Sequence, residues 1–309
     1  MPSHFGKYNF AICRRMARVA ALRHTETAHI ENGDSENGKS KKSKGKNKKK
    51  DNSENIVQQS PIDYERANEE LNNYIATLRM LNIDVIELCP DDNLSYESIF
   101  VGDTAVVING IVLLCRPRNR LNELKEIKQI FKSDLNLPLI EINDETAYLN
   151  GGDVLWTGHE IFVGLSNETN EAGAKAVAAA LPEYPVTPVK VPPGANLRLK
   201  SFVTMAGPDI LCVNRSPEAQ SILKRMEREA SFSYKLITVD DEQASNVLYI
   251  NGTLIHRNDL PDSVAILQER VDYSRVPVKI SELTKNNPYH GLDSFCLLVR
   301  KSSRIQTVV

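Results

Sequence analysis

A hairpin signal that recurs along most of the chain is the feature that most constrains the fold. Four pairs of apolar runs flank short turn sequences, whose glycines are Gly110, Gly158, Gly207 and Gly252. Turn residues of this kind between apolar runs are typical of β-hairpins. The turn glycines are roughly 45–50 residues apart, and a spacing of this length is typical of a repeat architecture.

Between the hairpins, apolar residues recur at helical spacing, and short apolar strands follow. The predicted helices cover residues 121–132, 171–181, 216–229 and 262–271, and two of the strands cover 139–142 and 186–191. Upstream, the sequence predicts strands at 8–13 and 84–88 and a helix at 63–81. A repeated hairpin–helix–strand unit predicts a closed, pseudo-symmetric α/β ring. A TIM barrel is excluded because it has one strand for each helix.

Composition indicates a globular protein, and we expect residues 1–309 to form one domain. The 309 residues are 41% hydrophobic and 25% charged, with a net charge of −2. That balance excludes the chain-wide basic field of a nucleic-acid-binding protein. No apolar run approaches the ~20 residues of a membrane span, and no secretory signal is recognisable. The five cysteines are widely spaced, which favours reduced, mostly buried thiols in the cytoplasm over a zinc site.

One segment is predicted to lie outside the globule. Residues 31–55 contain no apolar side chain, and lysine dominates residues 39–50. Such a stretch cannot bury enough surface to offset its ordering entropy, so we expect a disordered Lys-rich loop. Its charge also suggests a polybasic patch for an acidic partner, an anionic surface or nuclear import.

Several motifs, in order along the chain, resemble dimethylarginine dimethylaminohydrolase. They are Phe100-Val-Gly-Asp-Thr-Ala-Val-Val107, Leu149-Asn-Gly-Gly-Asp-Val154, Phe162-Val-Gly-Leu-Ser166, Leu199-Lys-Ser-Phe202 with Met205-Ala-Gly-Pro208, and His256-Arg257. The resemblance covers the chain from about Phe5 onwards, apart from the Lys-rich loop. It implies the pentein fold, a five-bladed α/β-propeller with pseudo-fivefold hairpin–helix–strand repeats and a small-molecule site in the central channel.

The resemblance also implies a chemistry. Family members hydrolyse methylated arginine to citrulline and a methylamine, an activity linked to nitric oxide regulation. A cysteine thiolate attacks the guanidinium carbon, and a histidine protonates the leaving amine and then activates water. Carboxylates hold the guanidinium group, and neither a metal nor a cofactor is required.

Several positions depart from the family pattern. Arg198 stands where the family has its catalytic histidine, and arginine cannot act as a general base. In the first hairpin Gly102 replaces a guanidinium-binding carboxylate, whereas Asp103 remains. Asn150 replaces the carboxylate of the second hairpin, and Glu97 conservatively replaces a substrate-binding aspartate.

Further departures affect the rest of the substrate-binding set. The substrate-binding arginines of the family fall on Asn122 and Glu168, whereas Ser201 is retained. His256 matches a family position outside the catalytic set and is predicted to be structural.

The position of the nucleophile is ambiguous. An alignment without a gap places Phe295 at the reactive position and Cys296 one residue later. Because neighbouring residues of a strand point to opposite faces, this shift predicts a thiol aimed away from the channel. A β-bulge could restore its direction.

These departures predict a family member whose catalysis is impaired or lost. Its altered channel is expected to take a different ligand, such as an anion attracted by Arg198. One alternative is an active methylarginine hydrolase that uses Cys296. Another is an interaction protein that acts through the Lys-rich loop.

Overall fold

The computed structural model describes residues 7–21, 61–194 and 196–300, and their backbone forms five three-stranded sheets. In every sheet the middle strand pairs antiparallel with one neighbour and parallel with the other. Four sheets consist of consecutive strands, as the repeated hairpin–strand unit predicts. The predicted Lys-rich loop at 31–55 lies outside the described residues.

The strands, in chain order, are β1 Phe10–Arg14, β2 Asp84–Leu88, β3 Ala105–Ile108, β4 Ile111–Leu114, β5 Leu139–Glu141, β6 Val154–Trp156, β7 Ile161–Leu165, β8 Val186–Lys190, β9 Val203–Gly207, β10 Ile210–Asn214, β11 Lys235–Val239, β12 Leu248–Ile250, β13 Thr253–Arg257, β14 Ser274–Val278 and β15 Leu297–Val299. The sheets are β15-β1-β2, β3-β4-β5, β6-β7-β8, β9-β10-β11 and β12-β13-β14. The first sheet joins both ends of the described chain, because β15 pairs with β1.

The hairpin turns follow the sequence signals with one difference. At Asn109-Gly110 and Asn251-Gly252 both residues have positive φ, the backbone that Asn-Gly favours in a two-residue turn. Gly207, in contrast, is the last residue of β9 and not a turn residue. The turn uses the next two positions, and Asp209 adopts a φ of 59°.

Five α-helices lie wholly within the described residues, and these five lie where helical spacing predicted them. Their bounds are α1 Tyr64–Met80, α2 Leu124–Gln129, α3 Glu171–Ala180, α4 Pro217–Glu229 and α5 Pro261–Arg270. The predicted helix at 121–132 is less regular than expected, because a 3₁₀ turn precedes α2 and a π-helical segment, Ile130–Asp134, follows it. No helix of the described residues is long and apolar enough to cross a membrane.

In every sheet, a short 3₁₀ turn precedes the edge strand that pairs antiparallel with the middle strand. These edge strands lie nearest the axis of the ring and are called the axial strands: β3, β6, β9, β12 and β15. The five turns are Val101–Asp103, Gly151–Asp153, Leu199–Ser201, Glu242–Ser245 and Leu292–Phe295. Contacts across sheets join the first turn with the second, the second with the third, the third with the fourth, and the first with the fifth. Several residues that the sequence analysis singled out lie in or beside these turns, so the ring brings them together at one end of its axis: Asp103, Asn150, Arg198, Ser201, Phe295 and Cys296.

Candidate functional site

A buried guanidinium group lies at the centre of the ring of 3₁₀ turns. Arg198, immediately before the third turn, is 1% exposed. Its Nη1 donates to Oδ1 of Asp103 at 2.5 Å, and its Nη2 donates to the carbonyl of Tyr289 at 3.0 Å. The hydroxyl of Ser294 lies 3.5 Å from Nη2. The first, third and fifth turns therefore converge on one cationic side chain.

Asp103 receives three nitrogen donors. Besides Arg198, Nη1 of Arg120 lies 2.8 Å from Oδ2, and Nε2 of His290 lies 3.3 Å from the same oxygen. Burial alone would raise the pKa of this carboxyl group, but Arg198, then His290 and Arg120, hold the pKa well below its usual range. Arg120 also forms a two-pronged contact with Glu123. The two arginines and two carboxylates balance in charge, which a buried ionic cluster requires.

Glycine at position 152 gives Arg198 its space. A Cβ atom at Gly152 would lie 2.8 Å from both Cδ and Nη1 of Arg198. Gly102 is packed against backbone instead, and a Cβ there would lie 2.4 Å from the carbonyl oxygen of Asp293. The position where the family has a carboxylate therefore has no room for any side chain in this chain.

His290 is a neutral side chain pressed between the cluster and an aromatic ring. Its imidazole stacks on Phe100 at 3.9 Å between ring centroids. Burial, followed by the charge of Arg198, lowers its pKa to about 4, although the contact with Asp103 acts in the opposite direction. Nδ1 is buried and has no hydrogen-bond partner among the described residues. At neutral pH the ring therefore donates through Nε2 to Asp103 and keeps Nδ1 as an acceptor.

Phe295 and Cys296 lie in the aromatic core beside α1. Phe295 is fully buried, and its ring centroid lies 5.7 Å from that of Tyr74 and 5.4 Å from that of Phe100. The Sγ atom of Cys296 lies 3.1 Å from Oη of Tyr74. Burial raises the pKa of this thiol to about 12, and the Tyr74 contact only partly opposes the shift. Among the described residues no hydrogen bond joins Cys296 to a histidine.

Asn150 and Ser201 shape the backbone around Arg198. The side chain of Asn150 accepts a hydrogen bond from the Gly152 amide at 2.8 Å and so caps the second turn. Ser201 accepts from the amide of Arg198 and donates to the carbonyl of Tyr289. These hydrogen bonds fix the backbone of the two loops between which the Arg198 guanidinium group lies.

Asp153 joins the second and third turns. It accepts hydrogen bonds from Ser166, Thr169 and the amide of Leu199, at 2.6, 2.7 and 2.9 Å. Burial raises its pKa to about 6 in spite of these bonds. Its role is to position the segment that carries Arg198.

The remaining predicted positions are Glu97, Asn122, Glu168 and His256, and the negative charge of Glu97 helps to raise the pKa of Arg120 in the cluster. Glu97 is half-buried in the 3₁₀ turn Tyr96–Ile99. Asn122 is exposed and Glu168 is half-buried. His256 lies on β13, where Nδ1 is 2.9 Å from the carbonyl of Arg257.

Sequence reasoning identified Arg198, Asp103 and Ser201 but missed three contacts of the cluster. Arg120 and His290 were not recognised, and neither was the carbonyl of Tyr289. A local signal existed for His290, which directly precedes the glycine that opens the C-terminal motif. The contacts of Arg120 depend on the packing of a loop against the first turn, which no spacing along the chain reveals.

The chain is similar to a known family along most of its length. A model of the eukaryotic N,N dimethylarginine dimethylhydrolase family matches residues 40–286. The human protein described as putative hydrolase DDAH2 is 35% identical over 230 residues, which are 71% of this chain and 79% of the relative. The N(G),N(G)-dimethylarginine dimethylaminohydrolase of Streptomyces coelicolor is 27% identical over 233 residues, covering 74% and 85% of the two chains.

A solved structure supports the fold at lower identity. The Pseudomonas aeruginosa DDAH, crystallised as a cysteine-to-serine variant with citrulline, has a TM-score of 0.70 and 20% identity. The match covers 95% of this chain and all of that one. Together with the five sheets, this similarity confirms the predicted five-bladed α/β pentein fold.

Proposed function

We propose that this chain, which belongs to the dimethylarginine dimethylaminohydrolase family, has lost the hydrolysis of methylated arginines. The observation that carries the proposal is the Arg198–Asp103 pair, whose atoms lie 2.5 Å apart. Asp103 occupies the place of a carboxylate that holds the substrate's guanidinium group in the family. In this chain, that carboxylate is engaged by a guanidinium group of the protein itself.

The pair disfavours substrate binding in two ways. Arg198 fills the space beside Gly152 and Asp103, and its positive charge repels a second guanidinium group at short range. Its own charge is balanced by Asp103. The Arg198 side chain is also only 2% exposed, so the anionic ligand that the isolated arginine suggested could not reach it.

The chain also lacks the nucleophile and the proton carrier that the chemical steps of hydrolysis require. Thiolate attack requires a thiol with a low pKa, whereas burial raises the pKa of Cys296 to about 12. Arg198 cannot release a proton near neutral pH and so cannot replace the catalytic histidine. His290 is titratable, but its Nε2 lies against Asp103, and no hydrogen bond among the described residues joins it to Cys296. General acid–base catalysis alone contributes about 10²–10⁴ in rate, so its loss together with an inactive thiol leaves little catalysis.

A citrulline assay tests the proposal. We expect purified protein incubated with asymmetric dimethylarginine to form no citrulline above a control without protein. The Streptomyces coelicolor relative, assayed in parallel, serves as the positive control. Turnover that disappears in the Cys296→Ser variant would instead support the alternative hydrolase that uses Cys296.

A labelling experiment tests whether Cys296 is the reactive thiol that the alternative hydrolase requires. Cys89 is exposed, whereas Cys13, Cys115, Cys212 and Cys296 are buried. We expect chloroacetamidine at neutral pH to modify Cys89 before Cys296. Preferential labelling of Cys296, read by peptide mass spectrometry, would show an activated thiol and contradict the proposal.

A further inference from the structure

A cavity lies on the axis of the ring, apart from the Arg198 cluster. Its volume is about 150 Å³, and residues of all five axial strands or their flanks line it. Apolar side chains are prominent, including Val106, Met205, Leu248 and Leu297. Each of these strands is the edge of its sheet, so the cavity is the central channel itself.

The cavity is separate from the Arg198 cluster, although Cys296, the candidate nucleophile, is among its lining residues. Neither Arg198 nor Asp103, Ser201 or His290 is among its lining residues. Gly102 and Gly151 form part of its wall, and a Cβ at Gly151 would lie 2.1 Å from the carbonyl oxygen of Gly102. Because these two glycines are in direct backbone contact, they close one end of the cavity. An inference about this space does not depend on the loss of hydrolysis.

A charged pair lies in the wall. Nζ of Lys200 is 3.3 Å from Oδ2 of Asp293, and the two side chains are 22% and 11% exposed. The other oxygen of Asp293 accepts from the amide of Asn246. An ammonium group has three donors, and within the described residues Asp293 is the only ion-pair partner of Lys200. Lys200 therefore retains donors for a ligand, and each oxygen of Asp293 already contacts one nitrogen donor.

We propose that this cavity binds a small carboxylate with a short apolar chain. The carboxylate would accept hydrogen bonds from Lys200, and the chain would contact the apolar side chains of the axial strands. A cavity of this size is sufficient, because an apolar cavity of 150 Å³ in another protein takes up benzene. The combination of a largely apolar wall and one available cation is typical of small-molecule sites.

The sequence supplies a local reporter of binding. Trp156 is the only tryptophan of the chain, lies in β6 and lines the cavity. Its emission can be followed while hexanoate, hexan-1-ol and hexylammonium are titrated separately, with calorimetry as a second measurement. The three probes share the apolar chain and differ only in the head group.

We expect hexanoate to change Trp156 emission in a saturable manner and to bind about tenfold more tightly than hexan-1-ol, because a hydrogen bond to a charged group is the stronger. Hexylammonium should not bind, since its charge repels Lys200. Equal affinity for all three probes would show that binding does not depend on the head group, and no response to hexanoate would show that the channel does not take this carboxylate. Either result would overturn the proposal.

Two variants test the assignment to the channel. The double variant Lys200→Met, Asp293→Asn removes both charges without leaving one unpaired, and it should abolish the preference for hexanoate. Val107→Phe narrows the cavity from the half-buried wall of β3 and should abolish binding. The exposed Lys190→Met variant serves as the matched control and should bind as the unmodified protein does. Undiminished binding by Val107→Phe would contradict the assignment.

Discussion

Arg198 determines which hydrogen-bond partners the residues around it have. In a hydrolase of this family Asp103 would meet the guanidinium group of a substrate, but in this chain it meets one supplied 95 residues later. Breaking a buried ion pair by removing one partner costs several kcal/mol, because the other charge is left without compensation. The same contact that disfavours substrate binding therefore stabilises the fold.

The fit of Arg198 against Gly152 can be tested by a double-mutant cycle. Gly152→Ala should destabilise the protein because the new Cβ would lie 2.8 Å from the Arg198 side chain. In the Arg198→Ala background that clash disappears, so the coupling free energy from denaturant unfolding should be about 1–3 kcal/mol.

Gly102→Ala provides the matched comparison for this cycle. Its Cβ would meet backbone atoms of Asp293 and Ser294, so removing Arg198 should not relieve the cost. A similar coupling for both glycines would show that Arg198 is not the cause.

His290 should make stability depend on pH. Its pKa of about 4 in the folded protein lies below the ordinary value of 6.5. Stability from the neutral ring is therefore fully present above pH 6.5 and is lost as the pH falls towards 4. The shift corresponds to about 3 kcal/mol. The free energy of unfolding of His290→Gln should fall less steeply over this range, and an unchanged slope would contradict the assignment.

Individual residues of the candidate site could be predicted only where they lie within a recognisable sequence motif. Asp103, Arg198 and Ser201 lie in hairpin-flanking motifs that can be aligned by eye. The pairing of Arg198 with Asp103 was not predicted, because it requires the first and third sheets to meet at the axis. The thiol of Cys296 was placed one residue from the reactive position, and its contact with Tyr74 depends on how α1 packs.

The 3₁₀ turns are the elements that build the site. Each precedes an axial strand, and backbone amides in or beside the second and third turns donate hydrogen bonds to the side chains of Asn150, Asp153 and Ser201. The hairpins and helices were predictable because alternation, Asn-Gly turns and helical spacing are local signals. The 3₁₀ turns were not, since their apolar residues merge with the following strand in the sequence pattern.

Helix α1 is joined to the C-terminal turn through one hydroxyl group. Oη of Tyr74 donates to the carbonyl of Leu292 at 2.7 Å. Tyr74→Phe should lower the free energy of unfolding by about 1–2 kcal/mol, because the buried carbonyl loses its partner. Tyr64→Phe, on the same helix but only half-buried, is the control and should have a smaller effect. Equal losses in urea unfolding would contradict this role of the hydroxyl.

The ring as a whole depends on closure between distant parts of the chain. β15 completes the sheet that β1 and β2 begin, and residues 295 and 296 lie just before it. The substituted nucleophile region is therefore also part of the closure. Burial and strand pairing at these positions do not require a reactive thiol, so the fold is compatible with the proposed loss of hydrolysis.

The Lys-rich loop is predicted either to bind an acidic partner or anionic surface or to alter access to the channel. If residues 39–50 bind an acidic partner or an anionic surface, their deletion should weaken retention on a heparin column, and the difference should shrink as salt is raised. The thermal unfolding midpoint should remain unchanged. Unaltered retention and unaltered cellular localisation would discard the interaction hypothesis.

The central claim is that a guanidinium group of the protein occupies the substrate's position, and chemical rescue tests it most directly. Arg198→Ala should lower the free energy of unfolding by about 3 kcal/mol, because Asp103 loses its closest partner and keeps Arg120 and His290. Millimolar methylguanidinium should bind in the vacated space and raise the thermal midpoint of this variant. Methylammonium should be less effective, because it lacks the planar guanidinium group that can donate two parallel hydrogen bonds to a carboxylate.

The exposed Arg228→Ala variant is the control for nonspecific effects of the ligand. The account predicts that methylguanidinium raises the midpoint of Arg198→Ala only. No rescue, or an equal shift in Arg228→Ala, would contradict the claim that Arg198 occupies a guanidinium site.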